Sequence, residues 1–83
     1  MASRIEYKSL VLRDLNHLDP KITERIIGEI EETLGSDPDC GEPLSGEFKG
    51  LFRYRIGEYR VIYARYPDSV LILRIGHRRS VYR

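Results

Sequence analysis

Eighty-three residues with one cysteine, no tryptophan and no apolar run near the roughly 20 residues that span a bilayer make one small domain, residues 1–83. They exclude a disulfide scaffold, a helical membrane protein and a Cys/His metal site of the usual spacing. The net charge of +1 conceals opposed halves, because residues 1–42 carry five Lys/Arg against ten Asp/Glu and residues 43–83 carry nine against three. A basic half of this kind points to a polyanionic partner. The opening residues, MASRIEYKS, lack the apolar segment of a secretory signal, and a lone thiol suits a reducing cytoplasm.

In chain order, Arg4–Lys8 alternates weakly and reads as a first strand with Ile5 and Tyr7 on one face. Ser9 is the expected N-cap of a short helix with Val11, Leu12, Leu15 and Leu18 on one side. Asp19-Pro20 breaks it and starts another, Asp as cap and Pro at the first helical position. Ile22, Ile26, Ile27, Ile30 and Leu34 then recur at helical spacing, with Glu24, Glu29, Glu31 and Glu32 on the other side. This predicts an amphipathic helix over Pro20–Leu34 stopped by Gly35. The connection between the helices is short enough to make them an antiparallel hairpin. Asp37–Gly50 is rich in Gly, Pro, Asp and Glu and reads as a loop anchored by Leu44 and Phe48. Its Cys40 has no base nearby and is a non-catalytic thiol.

The stretch from Gly50 to Arg83 holds eight arginines and five of the six tyrosines. It reads as three strands with a basic, aromatic tail, the combination that grips phosphates and stacks bases. Ile56-Gly57-Glu58-Tyr59 fits a two-residue hairpin with Gly first in the turn. That loop length pairs Ile56 with Tyr59, Tyr54 with Val61 and Phe52 with Tyr63, six side chains on one face for the helices to cover. Arg53, Arg55, Arg60, Ile62 and Ala64 take the opposite face. A plain two-residue loop at Pro67-Asp68 would put Arg74 in the core as an unpaired charge. An odd or bulged loop is therefore expected, with Leu71, Leu73 and Ile75 in the core and Val70, Ile72 and Arg74 on the basic face. Ile62, Ala64, Val70 and Ile72 would then form an apolar strip among arginines, which calls for a cover such as a partner's helix. The fold class is α+β: an N-terminal strand, a helix hairpin and a three-stranded antiparallel meander in one twisted sheet with helices on one face.

The run L-S-G-E-F-K-G-L-F-R-Y-R-I-G-E-Y-R-V-I-Y, with I-G-H-R-R-S-V-Y at the end, resembles the RelE/ParE superfamily of bacterial and archaeal toxins, and the RelE-type messenger-RNA endonucleases most. Y-R-V-I-Y and G-H-R-R-x-V-Y at this spacing carry the resemblance, which covers nearly the whole chain. It implies a cytoplasmic toxin that needs no cofactor and cleaves mRNA in the ribosomal A site. It also implies neutralisation by a cognate, RelB-like antitoxin in a higher-order complex, with the ribosome and mRNA as further partners and no membrane. By the same resemblance Arg60 stabilises the scissile phosphate, Arg78 contacts phosphate and protonates the leaving group, and Tyr82 stacks on the base. Arg53 stands where some relatives have a catalytic lysine; arginine holds its proton far more tightly and is a poor acid or base.

RNA is cut without a metal when its 2′-hydroxyl attacks the adjacent phosphorus. Such a reaction needs in-line alignment, a base, an acid and stabilisation of the phosphorane. His77 is the one nearby group that titrates near neutrality, and so joins Arg60, Arg78 and Tyr82 as a catalytic candidate, whereas His17 reads as a surface residue. Lys49, Arg53, Arg55, Arg74, Arg79 and Arg83 are the RNA-binding candidates. Two alternatives share the scaffold: a ParE-like inhibitor of DNA gyrase, and a catalytically degenerate toxin that acts as co-repressor with its antitoxin.

Overall fold

The structure is a computed structural model that describes residues 3–77. Arg78, Arg79, Tyr82 and Arg83, named above as site candidates, lie outside the described residues. Five strands form one mixed sheet: β1 (Arg4–Tyr7), β2 (Glu42–Pro43), β3 (Phe52–Ile56), β4 (Tyr59–Tyr66) and β5 (Ser69–His77), in the order β1-β5-β4-β3-β2. β1 lies parallel to β5 and the other neighbours are antiparallel. A parallel neighbour needs a long crossover. Two helices supply its first part, α1 (Ser9–Asn16) and α2 (Pro20–Glu29). This is the α+β architecture expected from the sequence, and among the described residues no helix is long and apolar enough to cross a membrane.

α1 departs from its sequence reading in two ways. Its N-cap is Lys8, which makes no side-chain cap bond, and Ser9 is already helical. Leu12 is 59% exposed, because the stripe that meets the sheet runs 11, 14, 15, 18 and not through 12. Val11 is fully buried on that stripe and Leu15 and Leu18 pack against the core. α2 starts as expected: Asp19 accepts from the Lys21 amide at 2.8 Å, with Pro20 first in the helix. The helix does not stop at Gly35. It passes through a π turn at Ile30–Leu34, and Gly35 stays right-handed helical (φ −65°, ψ −35°). Positions four apart drift around an α-helix of about 3.6 residues per turn. The wider π turn takes the drift back, so Ile26, Ile30 and Leu34 are all fully buried.

The β3–β4 hairpin has the predicted register, with Phe52, Tyr54 and Ile56 opposite Tyr63, Val61 and Tyr59. Gly57 takes the positive φ (59°) that the first position of such a turn requires. At the next turn the prediction needs correction. Tyr66 pairs with Ser69, so the loop at Pro67-Asp68 has two residues, and the bulge sits inside the strand, with Leu73 as the extra residue between the Tyr63–Ile72 and Ile62–Arg74 pairs. Before the bulge Val70 and Ile72 face the helices and are fully buried; after it Ile75 does, at 1% exposure. Leu71 and Leu73 are only half-buried. Arg74 still leaves the core, as expected, but Leu71 and Leu73 replace Val70 and Ile72 on the arginine side.

The loop after α2 is also more structured than it reads. Glu42 and Pro43 pair with Arg53 and Phe52 as a short edge strand, and Gly46–Phe48 forms a 3-10 turn. Tyr63 pins this loop from beneath. Its ring is fully buried and stacks on Phe52, its hydroxyl donates to the Pro38 carbonyl at 2.9 Å, and it accepts from the Gly41 amide at 3.1 Å. Above it, Arg65 pairs with Asp39 and lies 5.6 Å from the centre of the Phe52 ring. A Cβ at Gly41 would overlap the Tyr63 phenol. Gly41→Ala should therefore destabilise the fold by about 1–3 kcal/mol, as overpacking does, which urea unfolding measures directly.

Burial, with the neighbouring Cys40 sulfur, pushes the Tyr63 phenol up to about 12. In the unfolded chain a tyrosine ionises near about 10. The proton is thus held more tightly in the folded state, and the stability that follows is complete below about pH 10 and is lost as the pH rises towards about 12. Tyr63→Phe should flatten this alkaline fall in a series of unfolding midpoints taken from pH 9 to 12.

Candidate nucleic-acid interface

The register fixes which side chains share the face that the helices leave bare. Arg53 stands opposite Ile62, Arg55 opposite Arg60, Arg60 opposite Gly76, Ile62 opposite Arg74 and Ala64 opposite Leu71. Four arginines therefore surround Ile62, which is 4% exposed on a face that neither described helix covers. The hydrocarbon stems of arginine cover apolar surface while the charged heads stay outside. Leu71, Leu73 and Ala64, all half-buried, continue the apolar ground away from the charges.

The four arginines are not equivalent. Arg53 is held by Glu42 on β2 at 3.1 Å. Arg74 is held by Asp14 on α1 through two bonds, Nε to Oδ2 at 3.0 Å and the terminal nitrogen to Oδ1 at 3.1 Å. Arg55 and Arg60 make no ion pair and no side-chain hydrogen bond with another described residue. They face each other directly across the strands, where like charges repel. β5 presents only Gly76 to the other flank of Arg60. Two adjacent guanidinium groups on a rigid sheet, neither engaged by a described side chain, suit a phosphate, which takes arginine's fork in two bonds at once.

The structure does not bring His77 to this group. His77 pairs with Tyr59, on the face the helices cover, with the ring edge-on to Tyr59 at 6.0 Å and Nε2 3.8 Å from the Glu58 carboxylate. Lys49 follows the 3-10 turn and is exposed. His17 is exposed at the end of α1, as expected. Cys40 is exposed, and burial of the sulfur together with Asp37 pushes the thiol up, away from the reactive thiolate.

Asp14 is the residue that sequence reasoning missed. Its signal was present: 11, 14, 15 and 18 is the complete helical stripe, and an acid on an apolar stripe requires a partner. Glu42 carried no comparable signal, because a two-residue strand has no period to read.

Comparisons with known proteins bear on the family and the fold. The family described as the ParE toxin of the type II toxin–antitoxin system parDE matches residues 5–82. Toxin RelG of Mycobacterium tuberculosis is 34% identical over 87 aligned positions, covering 100% of this chain and 99% of that one. The toxin–antitoxin complex RelBE2 of M. tuberculosis contains a chain that superposes with a TM-score of 0.89 at 31% identity, covering 94% of this chain and 93% of that one. At 24% identity, which speaks for the fold alone, the archaeal RelE–RelB complex of Pyrococcus horikoshii gives a TM-score of 0.74 and covers 98% and 100% of the two chains.

The bare face makes a measurable demand on binding. Affinity for a single-stranded oligonucleotide falls with salt in proportion to the phosphates neutralised, about 0.7 in log–log slope for each. Arg55→Ala and Arg60→Ala should each lower that slope by about this amount in a fluorescence-anisotropy titration. Lys21→Ala, exposed at the start of α2, should leave it unchanged.

Proposed function

Since the chain belongs to the RelE/ParE superfamily of type II toxins, we propose that it is a ribosome-dependent endoribonuclease that cuts messenger RNA in the A site. The observation that carries this reading is the facing pair Arg55 and Arg60, neither of them neutralised by a described residue, on the side of the sheet away from the two described helices.

The reaction is a transesterification that needs no metal. The 2′-oxygen forms a bond to phosphorus, the bond from phosphorus to the 5′-oxygen breaks, and the products are a 2′,3′-cyclic phosphate and a 5′-hydroxyl. One proton leaves the 2′-hydroxyl and one arrives on the departing oxygen. Arg60 stabilises the charge that grows on the phosphorane, and Arg55 and Arg53 hold the flanking backbone. Rigid strand donors suit that work, since they need little reorganisation as the charge develops. His77 has its ring on the far side of the strand, so proton transfer is assigned to the end of the chain. There Arg78 and Tyr82 match the residues of the family that contact phosphate and base.

A RelB-like antitoxin is the proposed partner, since relatives of this fold are seen in complex with RelB. The half-buried Ala64, Leu71 and Leu73 beside the buried Ile62 give such a partner apolar ground among charges. Its carboxylates would neutralise Arg55 and Arg60. A ribosomal substrate places the protein in the cytoplasm.

Arg60→Ala and Arg78→Ala should each slow cleavage by about 10²–10³, the usual effect of losing one preorganised donor. Both should still be captured by the antitoxin. Induction without antitoxin, followed by mapping of transcript 5′ ends, checks this; growth arrest with intact transcripts would refute the nuclease. The family description, a ParE toxin, carries one other reading, poisoning of DNA gyrase. Trapped gyrase–DNA cleavage complexes in the same induced cells would establish it instead.

A further inference from the structure

We propose that Asp14 is a positioning residue for the basic site: it fixes the end of β5 and orients Arg74 beside Arg60. This rests on the nuclease reading above. β1 accompanies β5 only as far as the Tyr7–Ile72 pair, with the Lys8 amide donating to the Ile72 carbonyl as the last bond between them. From Leu73 onward no described strand lies on the β1 side of β5, and the bulge falls at the same place. α1 takes over as the neighbour. The Asp14 carboxylate, 12% exposed, accepts from the Ile75 amide at 3.0 Å with the oxygen that also accepts from Arg74 Nε. One carboxylate thus does for the end of β5 what a sixth strand would do, and clasps the guanidinium of the preceding residue in a planar, two-bond fork.

The consequence for the site follows from the register. Arg60 stands opposite Gly76 and Ile62 opposite Arg74, so Arg74 is the diagonal neighbour of Arg60 on the bare face, within reach of a long side chain. Whatever fixes Arg74 fixes one side of the place where Arg60 meets a phosphate. In the sequence, Gly76 and His77 lead directly to Arg78. Beside the Asp14–Arg74 pair a cavity of about 230 Å³ opens between the ends of α1 and β5, which leaves the pair accessible along its flank.

Two roles for Asp14 agree on binding and differ in the rate of the chemistry, which only the positioning role slows. If it merely neutralised charge, removing it would raise the positive potential of the face and strengthen RNA binding. If it positions, its removal slows the chemistry although binding holds or improves. Asp14→Asn separates the two, because the amide oxygen can still accept from Ile75 while the ion pair with Arg74 is lost.

The experiment is single-turnover cleavage of mRNA on programmed ribosomes by the whole purified chain, for the parent, Asp14→Asn, Arg74→Ala and the double variant. Antitoxin capture and thermal unfolding confirm folding of each. Asp14→Asn is expected to lower the maximal rate about tenfold to a hundredfold, as small misplacements near a reacting group do, with half-saturation by ribosomes unchanged or lower. The double variant should be no slower than Arg74→Ala alone. Arg74→Ala also covers the case in which Asp14→Asn folds poorly, since it leaves Asp14 to hold Ile75 and should show the same loss in maximal rate. A parent-like rate in Asp14→Asn, or losses that multiply in the double variant, would overturn the proposal and leave the nuclease intact. A parent that does not cleave at all sinks the nuclease reading, and this inference with it.

Discussion

One inserted residue governs which side of this sheet each group of the last strand occupies. Side chains alternate along a strand, so a shift of one position exchanges the faces. Without Leu73 as an extra residue, the two-residue loop at Pro67-Asp68 would pair Arg74 with Val61 and point it into the core. With it, Val70, Ile72 and Ile75 all reach the core and Arg74 leaves it. Burying an unpaired guanidinium costs several kcal/mol in practice, a large share of what an 83-residue chain has in reserve. The bulge is therefore a condition of folding, and it also brings Arg74 to the side where Arg53, Arg55 and Arg60 stand.

The arginine face is held together against its own charge. Arg53 and Arg74 are each matched by a carboxylate brought from another element, β2 and α1. Arg55 and Arg60 are matched by nothing described and oppose one another across the strands. A fold selected only for stability gains nothing from that pair. An incoming phosphate would relieve the repulsion it creates, so the cost of holding the face becomes part of the affinity for a polyanion. The same argument explains why the apolar ground at Ile62 lies beneath charges: arginine stems shield it while the heads stay available.

How far this was legible depends on parity. The β3–β4 hairpin could be written pair by pair, because a two-residue loop leaves one register, and the arginine face of those strands followed at once. β5 could not. Leu71, Leu73 and Ile75 alternate as neatly as Val70 and Ile72 do, and no residue type marks a bulge. The rule that a charge avoids the core recovered Arg74 but not the leucines. In α1 the leucines alone point to Leu12, whereas 3.6-residue spacing from Val11 passes through Asp14, Leu15 and Leu18 and leaves Leu12 exposed. Gly35 was read as a stop by residue type alone, whereas the π turn at Ile30–Leu34 keeps the buried face aligned and carries the helix on to Ser36. The family resemblance marked Arg60, which the strand geometry then placed beside Arg55. It said nothing of the carboxylates that tether the other two arginines.

The two faces divide the work between stability and function in a way that constrains how such a chain changes. Every fully buried side chain of the sheet points to the helices, and Tyr63 fastens the one long loop from that side. On the bare face, Arg55 and Arg60 make no ion pair and no side-chain hydrogen bond that their loss would break within the described fold. Substitution there can alter what the protein grips without unfolding it. Asp14 is where the division fails, because one carboxylate serves both the edge of β5 and the arginine beside the site. A change at Asp14 therefore acts on the fold and the face together. That coupling explains why a short helix, poorly buried over much of its surface, is held to the sheet by a charge as well as by Val11.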